Sequence, residues 1–369
     1  MNKIGNFNVM FFNASASDNN EVWMTVSLAG GLINSNFYCS TNDTYMHFNK
    51  AAASVLRFYL QETFFNKGLD LCVDISREGV HITASVDSKN IVDILNEILT
   101  IVYDAGTISE EKFEDAKHMA IADYVRRYAT RKGRTLLYLY DFTEKNRGWT
   151  FRSYAYDLEH ISIREYLHYI NHIVRPLCSN VCFYGSIKEI NFHNIDRILK
   201  NFSEKKDRDI WVYEEVLTNR ENGYIRDDFC EKSSAVNIYY DGKTSPYDKL
   251  LLAECINYIG YRGEGNVLIR RTGASIISSR YLDEKLIERI SDKWDDERIE
   301  SCLEYIRSEF ANLFIQRRYF GDYIGERAFE GIDMSIYSEM INSLSPKDVR
   351  TIYSNGNIHI TEGRIEEVE

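Results

Sequence analysis

Two stretches of this chain close in the same way, and that internal repeat constrains the fold more than any other feature. Residues 161–187 read ISIREYLHYINHIVRPLCSNVCFYGSI, and residues 344–363 read LSPKDVRTIYSNGNIHITEG. Each has an aliphatic residue, a serine, an amphipathic helical stretch, a break and a β-rich run. Ser162 and Ser345 stand where a helix N-cap is needed, and a serine hydroxyl accepts from the exposed first-turn amides.

The repeat extends backwards. TISEEKFEDAKHMAIADYVRRYATRKGR (107–134) and WDDERIESCLEYIRSEFANLFIQRR (294–318) both start acidic and end basic, the order that complements a helix dipole. Further back, EVWMTVSLAG leads into HFNKAAASVLRFYLQ, and SSAVNIYYDG leads into SPYDKLLLAECINYIGY. These are β-branched strands followed by helices. Between them, LDLCVDIS (69–76) and VHITASVD (80–87) alternate apolar and polar residues around a turn, as a half-buried hairpin does. SKNIVDILNEILTIVYDAG then reads as a helix. The expected class is α+β: two homologous lobes, each a mixed β-sheet with helices on one face.

Length agrees, because 369 residues with 44% hydrophobic content exceed what one core usually organises. The predicted N-terminal lobe is 1–187, the crossover 188–232 and the C-terminal lobe 233–369. A net charge of −12 argues against nucleic-acid and anionic-membrane partners. No run approaches the ~20 apolar residues of a spanning helix, and the N-terminus lacks a signal-peptide core. The seven cysteines are an odd number, and Cys72 and Cys255 lie inside apolar runs. Buried free thiols and a cytoplasmic setting are expected.

The duplicated unit resembles the pitrilysin/insulinase (inverzincin) family of two-lobed zinc peptidases. The phrases that carry the resemblance are VWMTVSLAGG, TISEEKFEDAKHMAIADY and the two lobe endings. In that family the first helix opens with H-x-x-E-H, whose histidines bind zinc and whose glutamate is the general base. The matching residues here are His47-Phe48-Asn49-Lys50-Ala51. Lys50 stands in the glutamate slot and Ala51 in the second histidine slot. An ammonium cannot serve as base beside a dication, and alanine has no ligand atom. Neither H-x-x-E-H nor H-E-x-x-H occurs in the sequence. Glu114 or Asp115 would be the remnant of the third ligand, or a solvated acid.

The resemblance thus implies no cofactor in this chain and zinc in a homologous partner. The expected role is that of the non-catalytic subunit of a heterodimeric metallopeptidase, similar to those of subtilosin-type bacteriocin maturation, which process ribosomally made peptides. Residues 69–76 would offer the sheet edge to an extended peptide, through Leu71, Val73 and Ile75. The family's second lobe supplies an Arg and a Tyr to the scissile bond. Arg270 or Arg271 fits the first slot, while the Tyr slot falls on Ile276, with Tyr281 a distant substitute. The alternatives are a structural scaffold and a peptidase with a rebuilt metal site. Separately, His168 and His172 lie one helical turn apart with Cys178 and Cys182 nearby, a metal-ligand spacing that would lack a general base and that reads otherwise as a polar helix face with buried thiols. Residues 260–265, GYRGEG, match no phosphate-loop pattern.

Overall fold

The computed structural model describes residues 2–13, 21–32, 36–39, 43–145, 151–175, 180–187, 190–203, 210–212, 217–218, 222–227, 229–240, 244–269, 273–278 and 294–366. Arg270, Arg271, Cys178 and Tyr281 lie outside the described residues. The first half contains strands β1 (Asn2–Ile4), β2 (Phe7–Asn13), β3 (Glu21–Ala29), β4 (Asn36–Cys39) and β5 (Thr44–His47). Helix α1 (Ala51–Asn66), strands β6 (Cys72–Ile75) and β7 (Gly79–Asp87), and helices α2 (Ile91–Asp104), α3 (Glu110–Tyr128) and α4 (Arg131–Thr143) follow. Strand β8 (Glu144–Lys145), helices α5 (Phe151–His160) and α6 (Ile163–Tyr169), strand β9 (Asn180–Gly185) and helix α7 (Phe192–Phe202) complete it.

The second half contains β10 (Ile210–Val212), β11 (Leu217–Thr218), β12 (Gly223–Arg226), β13 (Ser233–Tyr240) and α8 (Pro246–Tyr261). The hairpin β14 (Asn266–Ile269) and β15 (Gly273–Ser278) is followed by α9 (Asp296–Ile315), α10 (Arg317–Phe329), α11 (Met334–Ser343), α12 (Pro346–Gly356) and β16 (Ile358–Glu366).

The repeat is visible in sheet topology. The first sheet runs β1-β2-β9-β3-β7-β6, and the second runs β12-β16-β13-β15-β14. After β1, each runs from an opening strand to the closing strand, and then to the second strand and its hairpin. The opening and closing strands are parallel in both, β2 with β9 and β12 with β16. The other ladders are antiparallel. Both serines cap as expected. Ser162 forms a capping box with Glu165 at the start of α6, and Ser345 forms one with Asp348 at the start of α12.

Each sheet carries helices of its own half on one face. In the first, Val26, Leu28, Val80 and Ile82 are fully buried, with α1 and α2 packed on β7 and residues 170–174 on β3. The opposite face is covered by a helix from the other half of the chain, which the repeat alone does not reveal. Helix α10 packs on β3, β9 and β7. It meets a polar stripe rather than an oily one: Thr25 and Thr83 hydroxyls lie 3.0 Å apart, and Thr83 donates to Asp322 at 2.9 Å. Gly321 and Gly325 let the helix sit this close, because a Cβ on them would fall 1.8 Å from Thr25 Oγ1 and 2.1 Å from Ser27 Oγ. Reciprocally, α4 covers the second sheet, where Leu139 joins Cys230, Ala235, Leu268, Ile277 and Ile365 in one apolar cluster.

The compact units therefore do not follow chain order. One comprises residues 1–123, 155–213 and 313–329, and the other 124–154, 214–312 and 330–369. The predicted boundaries at 187 and 233 follow the repeat in sequence; the units differ because each sheet draws cover from the opposite half. Strand β12 also lies in the stretch read as crossover. The six described cysteines are all free, and all but Cys72 are buried. No helix among the described residues is long and apolar enough to cross a membrane.

Candidate functional site

The motif slots lie at the junction of β5 and α1. His47 is the last residue of β5 and is exposed. Helix α1 begins only at Ala51, where the amide donates to Asn49 Oδ1 at 3.0 Å. His47 is thus off the helix. The expectation that His47, Lys50 and Ala51 open one helical face is corrected: a strand ends where the motif needs a helix to have begun. Ala51 is fully buried, so its slot is filled by packing. Zinc does not fit these residues, which present one imidazole, one ammonium and one methyl group.

Charges surround the slots instead. Burial pushes the Asp157 carboxyl on α5 up, while Lys50 and His47 pull the other way. Partial desolvation raises Glu165, but hydrogen bonds from Ser162 and Asn49, with the Lys117 charge, outweigh it and hold the carboxyl below its ordinary range. Glu114 pairs with Lys117 at 3.8 Å, and Asp115 is exposed. Sequence reading missed Asp157 and Glu165, because nothing in their spacing links them to residue 50. The His168 ring stacks on Phe48 at 4.8 Å and lies 4.5 Å from His172. Cys182 is buried in β9, which raises its thiol strongly. Among the described residues, no group of three or more His, Cys, Asp or Glu could hold a metal ion.

Strand β6 is the edge of the first sheet, where residues 69–76 were expected to offer one. Leu71 and Val73 turn their side chains inward, at 6% and 1% exposure, and Ile75 is half-buried. Only their main chain can meet an added strand, and much of it is engaged. Gln61 of α1 donates to Leu71 O at 3.0 Å and accepts from Val73 N at 2.9 Å. Arg57 Nε donates to Val73 O at 3.0 Å. The same guanidinium is pinned by Asp123 at 2.8 Å and reaches Asp74 at 3.4 Å.

The second unit repeats the device. Asn257 of α8 accepts from Gly265 N and donates to Gly265 O, both at 2.9 Å, just before edge strand β14. A Cβ on Gly265 would fall 2.5 Å from that Asn257 oxygen. Residues 260–265 are thus a helix-ending turn, with Arg262 left-handed at φ 53°. Ile276 is fully buried in β15, opposite Val236 and Val267. The Tyr slot is therefore part of the core.

No protein-family model and no curated protein matches the sequence. Solved structures match over nearly the whole chain. A putative M16-like peptidase from Alicyclobacillus acidocaldarius is similar with a TM-score of 0.67 at 11% identity, covering 98% of this chain and 96% of that one. A protease from Helicobacter pylori gives 0.64 at 11%, covering 98% and 97%. A chain of complex III2 from Candida albicans, solved with Inz-5 bound, gives 0.67 at 13%, covering 97% and 94%. The chain has the insulinase-like, two-lobed fold of M16-like peptidases.

Proposed function

We propose that this chain is the non-catalytic subunit of a heterodimeric zinc metallopeptidase that processes a ribosomally made peptide, as in leader removal during bacteriocin maturation. The observation that carries this reading is a peptidase-like fold, matched over nearly the whole chain, in which Ala51 is sealed in the core and His47 has left the helix. The fold is kept where the chemistry is not. The zinc belongs to a homologous partner, and the peptide runs extended along β6. Arg270 or Arg271 approaches the substrate carbonyl. The free cysteines suit the reducing cytoplasm.

The test is assembly. Mixed with a zinc-bearing homologue encoded beside it, the chain should form a one-to-one complex by light scattering, with an interface above the ~1,600 Å² of a standard pair. A monomer in every such mixture contradicts the reading. The likeness to a complex III2 chain favours a second reading, a purely structural subunit of a larger assembly. That reading predicts assembly without any gain in peptide cleavage.

A further inference from the structure

An edge strand with free amides and carbonyls invites any extended chain to add to it, and proteins usually blunt such edges. Here the blunting is specific. Cys72 pairs with Thr83, and Val73 with Ile82. Successive residues direct their main chain alternately to the partner and away from it. The bonds from Gln61 and Arg57 show that Val73 faces away, and Ile75, two residues on, shares that orientation. Leu71 O and Val73 N flank Cys72. They are the acceptor and donor that an added strand engages whether it runs parallel or antiparallel.

One carboxamide occupies both. Gln61 presents its N–H and its C=O to β6 as a peptide unit would. It is a stand-in for the main chain of a neighbouring strand, so the occupant its chemistry describes is an extended peptide. The two latching residues differ in how they are held. The Arg57–Asp123 pair is nearly enclosed, at 14% and 12% side-chain exposure. Gln61 is one turn further along α1, is half-buried, and makes no ion pair. Arg57 is the fixed part and Gln61 the part that can swing. Asp74 on β6 and the net charge of −12 favour a basic peptide.

We propose that Gln61 is a latch on the β6 edge. It holds Leu71 O and Val73 N in the free chain and yields both to the main chain of an incoming peptide, while Arg57 stays on Val73 O and fixes the strand. This rests on the reading that β6 receives the peptide, and it adds that the receptor is closed until the carboxamide rotates away. The strand's donor and acceptor are bonded in both states, and the displaced half-buried carboxamide must turn to water. The latch filters occupants: a ligand gains only if it can replace a donor and an acceptor at once.

The test uses the full chain and needs no partner subunit. Hydrogen exchange at the Val73 amide is compared in wild type, Gln61→Ala and Gln61→Leu, the last of which keeps the side chain's bulk. Binding of a fluorescein-labelled, alternating valine–lysine decapeptide is measured by anisotropy on the same samples. Both variants should exchange the Val73 amide at least tenfold faster when free. Both should bind the decapeptide about tenfold more tightly than wild type, which corresponds to about 1.4 kcal/mol. The bound peptide should restore protection at Val73. Unchanged exchange in the folded Gln61→Leu chain overturns the latch, and so does unchanged or weaker peptide binding by a chain whose Val73 amide has opened. Assembly with the zinc-bearing homologue is read separately by light scattering, so a failed latch leaves the subunit reading intact.

Discussion

Replacing Gly321 by Ala sets two effects of opposite sign against each other. Gly321 is in the interior of α10, and helix propensity alone favours Ala there by about 1 kcal/mol. The new Cβ, however, would sit 1.8 Å from Thr25 Oγ1 and 2.6 Å from Thr25 Cβ. Those are not contacts that a rotamer change relieves, because Thr25 Cβ is fixed to the central strand β3. Helix α10 must lift from the sheet. Over-packing of this kind costs about 1–3 kcal/mol. Lifting also stretches the bond from Thr83 on the sheet to Asp322 on the helix, at about 1 kcal/mol if it is lost. The steric effect wins, and the net loss should be about 1–3 kcal/mol. Urea unfolding followed by tryptophan fluorescence, with Trp23 two residues from the clash on β3 among the reporters, measures it. Adding Thr25→Ala removes the nearest atom and should recover at least about 1 kcal/mol. A Gly321→Ala chain as stable as wild type, or more so, would refute the packing of α10 on this sheet.

Other outcomes follow from the same geometry. His81 is buried between Ser27 Oγ at 2.8 Å and Ser76 Oγ at 2.9 Å, and burial lowers its pKa to about 4. The unfolded chain therefore takes up this proton first, so stability is full above about pH 6.5 and is lost as pH falls toward 4. Between pH 7 and pH 5 the loss should be about 2 kcal/mol, and His81→Gln should flatten that slope in urea midpoints. A slope that survives the substitution contradicts this. Lys50→Glu with Ala51→His writes H-x-x-E-H into the sequence but should not restore zinc uptake, since residue 51 is sealed and His47 lies on β5; atomic absorption near one zinc per chain would contradict it. Replacing Arg270 and Arg271 together by Ala should lower turnover of the assembled peptidase ~100-fold or more, if one of them meets the developing oxyanion. Unchanged kcat would confine this lobe to enclosure.

Much of this architecture was legible. The repeat predicts two copies of one sheet, and the equal strand orders bear that out. Ser162 and Ser345 were readable because capping chemistry is local, and β6 because alternation marks a half-buried strand. The opening strands β2 and β12 were not, since FNVMFFN has no clean alternation and GYIR is too short to show one. The reciprocal helix cover was invisible for a deeper reason. Periodicity reports which residues are buried and never by what, so a Gly321/Gly325 pair on α10 does not name Thr25 and Ser27 as its seat. At the site, residue types alone show that Lys50 and Ala51 cannot serve zinc. That His47 sits on a strand depends on where β5 ends, and the sequence signal there is weak. Gln61 gave no signal, because a glutamine on a helix reads as surface until its bonds to Leu71 and Val73 are seen.

On the proposed function, this chain keeps the peptidase fold for a partner's chemistry and has none of its own. Cleavage of quenched-fluorescent casein tests it most directly, measured for the zinc-dialysed chain alone and during its titration into a fixed amount of the zinc-bearing homologue. The chain alone should cleave nothing, and activity should rise and saturate at one chain per homologue. A lone chain that retains zinc through dialysis and cleaves casein until a chelator is added would contradict it.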